Sequence, residues 1–75
     1  MKVPQAQYCL AILYRDNGHK IHSHAWFNIA STGKHEKAIK ERNFIEKSMS
    51  SDDVKEAQRM AEAISRDQMT DLILT

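Results

Sequence analysis

AQYCLAILY at residues 6–14 and HAWFNIASTG at residues 24–33 each read as a short helix. In the first, Ala6, Leu10, Leu13 and Tyr14 fall at i, i+4, i+7 and i+8, one stripe of an α-helix that faces a partner. In the second, Trp26, Ile29, Ala30 and Gly33 recur at the same kind of spacing, and Gly33 stands where a helix ends in a left-handed cap. Both stretches carry small residues where a neighbouring helix presses close, with aromatic anchors one turn away. Together they make a helix, a turn and a helix.

Outward from this pair, only two Gly and one Pro punctuate the 75 residues, and no alternating strand of useful length interrupts the helical pattern. The pattern predicts an all-α domain with helix one at Pro4–Arg15, helix two at Lys20–Thr32, helix three at His35–Ser48 and helix four at Ser51–Arg66. Helix four has the clearest start: Ser50 caps the free amides, and Asp52 and Asp53 sit at the positive end of the helix dipole. Its apolar stripe is Val54, Ala57, Ala61 and Ile64, and helix three presents Ala38, Ile45 and Met49 with Phe44 beside them. These two amphipathic helices are expected to pack antiparallel across the MSS turn. The tail, residues 67–75, either extends helix four or folds back as an apolar strap through Leu72, Ile73 and Leu74.

In helix one, Ala6, Tyr8, Leu10, Ala11, Leu13 and Tyr14 follow an A-x-Y-x-L-G-x-M-Y pattern, with Ala11 at the small Gly and Leu13 at the Met. In helix two, Ser23, Ala25, Trp26, Phe27, Asn28, Ile29, Ala30 and Gly33 follow A-Y-A-W-F-N-L-A-A-A-x-G, with Ser23 at the leading Ala. Ala38, Lys40, Arg42, Glu46, Met49, Glu56, Ala57 and Gln58 further match a terminal, capping segment of bacterial members. The chain therefore resembles the Sel-1-like repeat family, a subclass of the tetratricopeptide-like helical solenoids. The family's inter-helix loop is about four residues longer than YRDNGHKIHS, and the chain opens on the first helix of a repeat. The resemblance implies antiparallel helical hairpins of a short α-α solenoid, with a repeat hairpin at 4–33, a capping hairpin at 34–66 and a tail at 67–75.

The same resemblance implies a protein-binding surface. It places Trp26 in the packing between helices and Tyr8, Tyr14 and Asn28 nearer a concave groove, while Phe27 belongs either to the core or to the contact surface. Arg42 coincides with a recurrent family arginine, and a structural hydrogen bond to the C-terminus of helix two is the preferred role for it. Lys37 and Lys40 with Glu36, Glu41 and Glu46 read as a mixed, solvated face.

Eleven Lys and Arg against ten Asp and Glu give a formal net charge of +1, so no global pull toward phosphates or acidic membranes is evident. Nucleic acid is not the expected partner, and no apolar run approaches the roughly 20 residues of a membrane span. The single Cys9 excludes an intrachain disulfide framework and fits a reducing, cytoplasmic compartment. Three histidines, His19, His22 and His24, are the only metal candidates; His19 and His22 share a helical face at i, i+3, but solvated or capping roles are preferred. No catalytic residues and no cofactor are assigned, because Cys9 lacks a setting that lowers its pKa and Asp52 and Asp53 are explained by the helix dipole.

The expectation is a non-enzymatic protein–protein interaction module that binds a protein partner or a second copy of itself through its helical-repeat surface, with Tyr8, Tyr14, Phe27 and Asn28 as contact residues. A chain of this size opening at Met1 also suits a small dedicated regulator or inhibitor that occludes another macromolecule. A metal-responsive protein built on the histidine cluster is the third reading.

Overall fold

Pro4 opens α1 (Pro4–Asp16), where a fixed φ and a missing N–H cost nothing because first-turn amides have no helical acceptor. The computed structural model describes residues 4–74, with side chains for residues 4–67. Asn17 ends α1 by donating its side-chain amide to the Leu13 carbonyl at 2.7 Å, and Gly18 turns the chain with φ at 79°. Helix α2 spans Lys20–Thr32, α3 Glu36–Glu46 and α4 Ser51–Leu74, and the described residues contain no strand. The all-α reading and its four helices are therefore observed. The tail question resolves partly: the backbone continues as helix to Leu74, whereas the side chains of Leu72, Ile73 and Leu74 lie outside the described residues.

Each helix start has its own chemistry. Ser50 Oγ accepts from the Asp53 amide at 3.1 Å, the cap expected from sequence. Helix α3 is capped by His35, whose Nδ1 accepts from the Ala38 amide at 3.2 Å. Its Nε2 lies 2.8 Å from Gln5 Oε1 and its ring stacks on Tyr8 at 4.6 Å, so one imidazole ties the starts of α1 and α3 together. With Nδ1 accepting, Nε2 carries the proton and donates to Gln5.

Helix α2 is the axis of the molecule. Helix α1 packs antiparallel to it, since Tyr8 meets Phe27 near one end and Tyr14 meets His22 near the other. Helix α3 is also antiparallel to α2, with Arg42 on Asn28 and Glu46 on His24. Helix α4 runs parallel to α2: His22 and Met60 border one depression and Thr32 and Ser65 another further along. The expected antiparallel pairing of α3 with α4 does not form. Among the described residues both dock on α2 and scarcely touch each other, because Ala38 and Ile45 of α3 and Ala57 and Ala61 of α4 turn to the core.

Among the described residues, six of the nine buried apolar side chains are alanines, so the helices approach one another closely and few large side chains fill the space. One cluster joins Ala11, Phe27, Ala30 and Ala38 from three helices; a second joins Ala25 and Ile29 to Ala61. Trp26, half-buried, packs against both, which agrees with the packing role expected of it. Ser23 shows how tight the α1–α2 contact is, for its hydroxyl donates across the interface to the Ala11 carbonyl at 2.8 Å.

Gly33 corrects the sequence reading. Its φ is −88°, and the left-handed residue is Lys34 at 63°. Glycine is required at 33 for space, since a Cβ there would collide with the ring of Pro4 at the start of α1.

Candidate interaction surface

Helix α1 has two apolar faces. Toward the core it turns Gln7 and Ala11, both buried, with Tyr8 and Ile12 half-buried against the first cluster. The stripe singled out in the sequence lies largely elsewhere, with Tyr14 at its edge reaching His22 of α2. Leu13 is 60% exposed, Ala6, Leu10 and Tyr14 are half-buried, and Cys9 is exposed beside them. The face of α1 that meets α2 is the one holding Ala11, whose small, fully buried side chain lets the helices come close enough for the Ser23 hydroxyl to reach the Ala11 carbonyl.

The open face is uncharged. No Asp, Glu, Lys, Arg or His stands among the twelve residues from Val3 to Tyr14, in a chain with 28% charged residues. Arg15, the first charge after it, is drawn off toward α3, where it donates to Glu41 at 2.6 Å with both side chains about one-third exposed. A shallow depression at the end of this face is lined by Leu10, Leu13, Tyr14, Asn17 and His19. Its aromatic border is ordered by ring contacts: Tyr14 stacks on His22 at 5.1 Å, and His19 meets Tyr14 edge-on at 6.1 Å.

The four contact residues expected from sequence separate into different environments. Tyr14 borders the open face. Tyr8 is held between Phe27 at 5.6 Å and His35, inside the α1–α2–α3 packing. Phe27 is fully buried and is core, which corrects its assignment as a contact residue: small neighbours Ala11, Ala30 and Ala38 leave the volume that its ring fills. Asn28 is half-buried and its side-chain Oδ1 accepts from Arg42 Nη1 at 2.9 Å, with Ser31 Oγ 3.2 Å from the same nitrogen. The hydrogen bonding expected of Arg42 toward the end of α2 is thus present, directed at side chains.

The histidine cluster is divided. His19 and His22 remain neighbours at 5.9 Å between ring centroids, but His24 is 1% exposed and points to α3, its Nε2 2.7 Å from Glu46 Oε1. This corrects the solvated or capping role expected for His24. Its Nδ1 is buried with no hydrogen-bond partner. Among the described residues, no group of three or more His, Cys, Asp or Glu is arranged to hold a metal ion, and no helix is long and apolar enough to cross a membrane.

Sequence reasoning missed the roles of Glu41 and Glu46, which it placed on a solvated face. Each instead reaches a basic partner on another helix. It also missed Cys9 as part of the open face; the signal was its i+3 spacing from Ala6. No family model, no curated protein and no solved structure matches this chain.

Proposed function

We propose that the chain is a non-catalytic protein–protein interaction module of Sel-1-like repeat type that binds through the outer face of α1. The observation that carries the reading is a helix free of Asp, Glu, Lys, Arg and His up to Tyr14, whose core-facing side packs on α2 and whose other side exposes Leu13 with Leu10 and Tyr14 beside it. Side chains of this kind lower the free energy of association by roughly 25 cal/mol per Å² of apolar surface removed from water. A single apolar residue on a surface carries no such meaning, but a contiguous stripe along one helix does. The exposed thiol of Cys9 on this face fits a reducing, cytoplasmic setting.

The test is capture from native lysate with tagged wild type and with Leu13→Lys, identifying bound proteins by mass spectrometry. The helix should tolerate lysine at 13, an exposed position near the negative end of the dipole. Association that the wild type shows and Leu13→Lys loses supports the reading. Association unchanged by the substitution refutes it.

A further inference from the structure

The outer face of α1 carries a pattern that fits itself. Ala6, Cys9, Leu10 and Leu13 stand at i, i+3, i+4 and i+7, the narrow seam along which two helices interlock. With a two-fold axis between Cys9 and Leu10, an antiparallel copy places Ala6 against Leu13 of its mate and Cys9 against Leu10. Every contact then pairs a small side chain with a large one, the complementarity an isologous interface needs. The antiparallel sense also opposes the two helix dipoles favourably.

Charge selects the occupant. A foreign partner is normally steered and discriminated by charged groups around an apolar patch, and the seam has none from Val3 to Tyr14. The same absence removes the like-charge repulsion that a second copy would otherwise bring. The depression lined by Leu10, Leu13 and Tyr14 together with the polar Asn17 and His19 flanks the seam at one end, and two-fold symmetry repeats it at the other.

We infer that α1 is a homodimerisation helix, pairing antiparallel with α1 of a second copy through Ala6, Cys9, Leu10 and Leu13. This rests on the interaction-module reading of the same face and names its partner. A helix of 13 residues is about 20 Å long, and one such face supplies well under the roughly 800 Å² per partner of a standard interface. The dimer is accordingly of the weak, reversible kind.

Sedimentation velocity of the reduced full chain, from about 1 to about 500 µM, tests the inference. The expected result is a monomer–dimer equilibrium that Leu13→Lys weakens at least tenfold while circular dichroism reports an unchanged fold. A short bis-maleimide should also link Cys9 to Cys9 of the second copy, which checks register with no substitution at all. A monomer throughout the wild-type series overturns the inference, as does a dimer indifferent to Leu13→Lys. If that monomer still captures lysate proteins in a Leu13-dependent manner, self-association fails and the interaction-module reading stands. If it captures none, both fail.

Discussion

Arg42 illustrates how a single residue locks two helices. Its Nη1 donates to Asn28 and Ser31 on α2, and its Nη2 lies 3.4 Å from Asn43 Oδ1 on its own helix. A half-buried charged donor of this kind contributes about 1.5–3 kcal/mol, so Arg42→Ala should lower the melting temperature by roughly 6–24 °C in a domain of this size. Lysine at 42 should restore only part of that, because one ammonium lacks the guanidinium's planar fork. Gly33→Ala should cost about 1–3 kcal/mol by driving a methyl group into Pro4, measurable by urea denaturation. At His24 the expected effect is smaller. The ring buries an unpartnered Nδ1, and Glu46 keeps a side-chain exposure of 37% through which water can replace the lost contact. His24→Leu should therefore leave stability within about 1 kcal/mol of wild type, since replacing a poorly satisfied polar group by an apolar one of similar size is near neutral.

At the scale of the element, helices announce themselves through local rules, and these were legible. The start of α4 was read from Ser50 and two aspartates, because caps depend on residues adjacent in sequence; the end of α2 was placed correctly at Thr32, although the left-handed residue after it is Lys34 and not Gly33. Ser50→Ala should destabilise the chain by about 1 kcal/mol in equilibrium unfolding, the usual contribution of such a cap. Face assignment was harder. Helix α1 has apolar residues around most of its circumference, and periodicity alone cannot say whether Tyr8 and Ala11 or Leu10 and Leu13 meet α2. The Ser23–Ala11 hydrogen bond decides it, and that contact joins residues 12 apart in the chain. Likewise Glu41 and Glu46 look like members of a solvated charge pattern until Arg15 and His24 are brought beside them. His24 was unreadable for the same reason: a histidine between polar neighbours carries no local mark of burial.

For the whole molecule, three helices gather around α2, and the alanine-rich contacts make that possible. The sequence pattern pointed to successive hairpins, since short connections favour antiparallel neighbours. That held for α1 with α2 and for α2 with α3, while α4 bypassed its neighbour in sequence to lie parallel to α2. Nothing in the MSS turn encodes that choice; it follows from where Ala25 and Ile29 leave room for Ala61. With the core-facing sides of the helices turned to α2, the outer side of α1 is left as an open apolar face, and Phe44 of α3 is exposed apart from it. The most direct measurement places a reporter on it: Cys9 labelled with a benzophenone maleimide, illuminated in native lysate, beside a Cys9→Ser/Gln58→Cys chain labelled on the exposed side of α4. The account expects protein adducts from position 9, to a second copy or to another protein, and only background from position 58. Equal labelling from the two positions, or none from position 9, would contradict it.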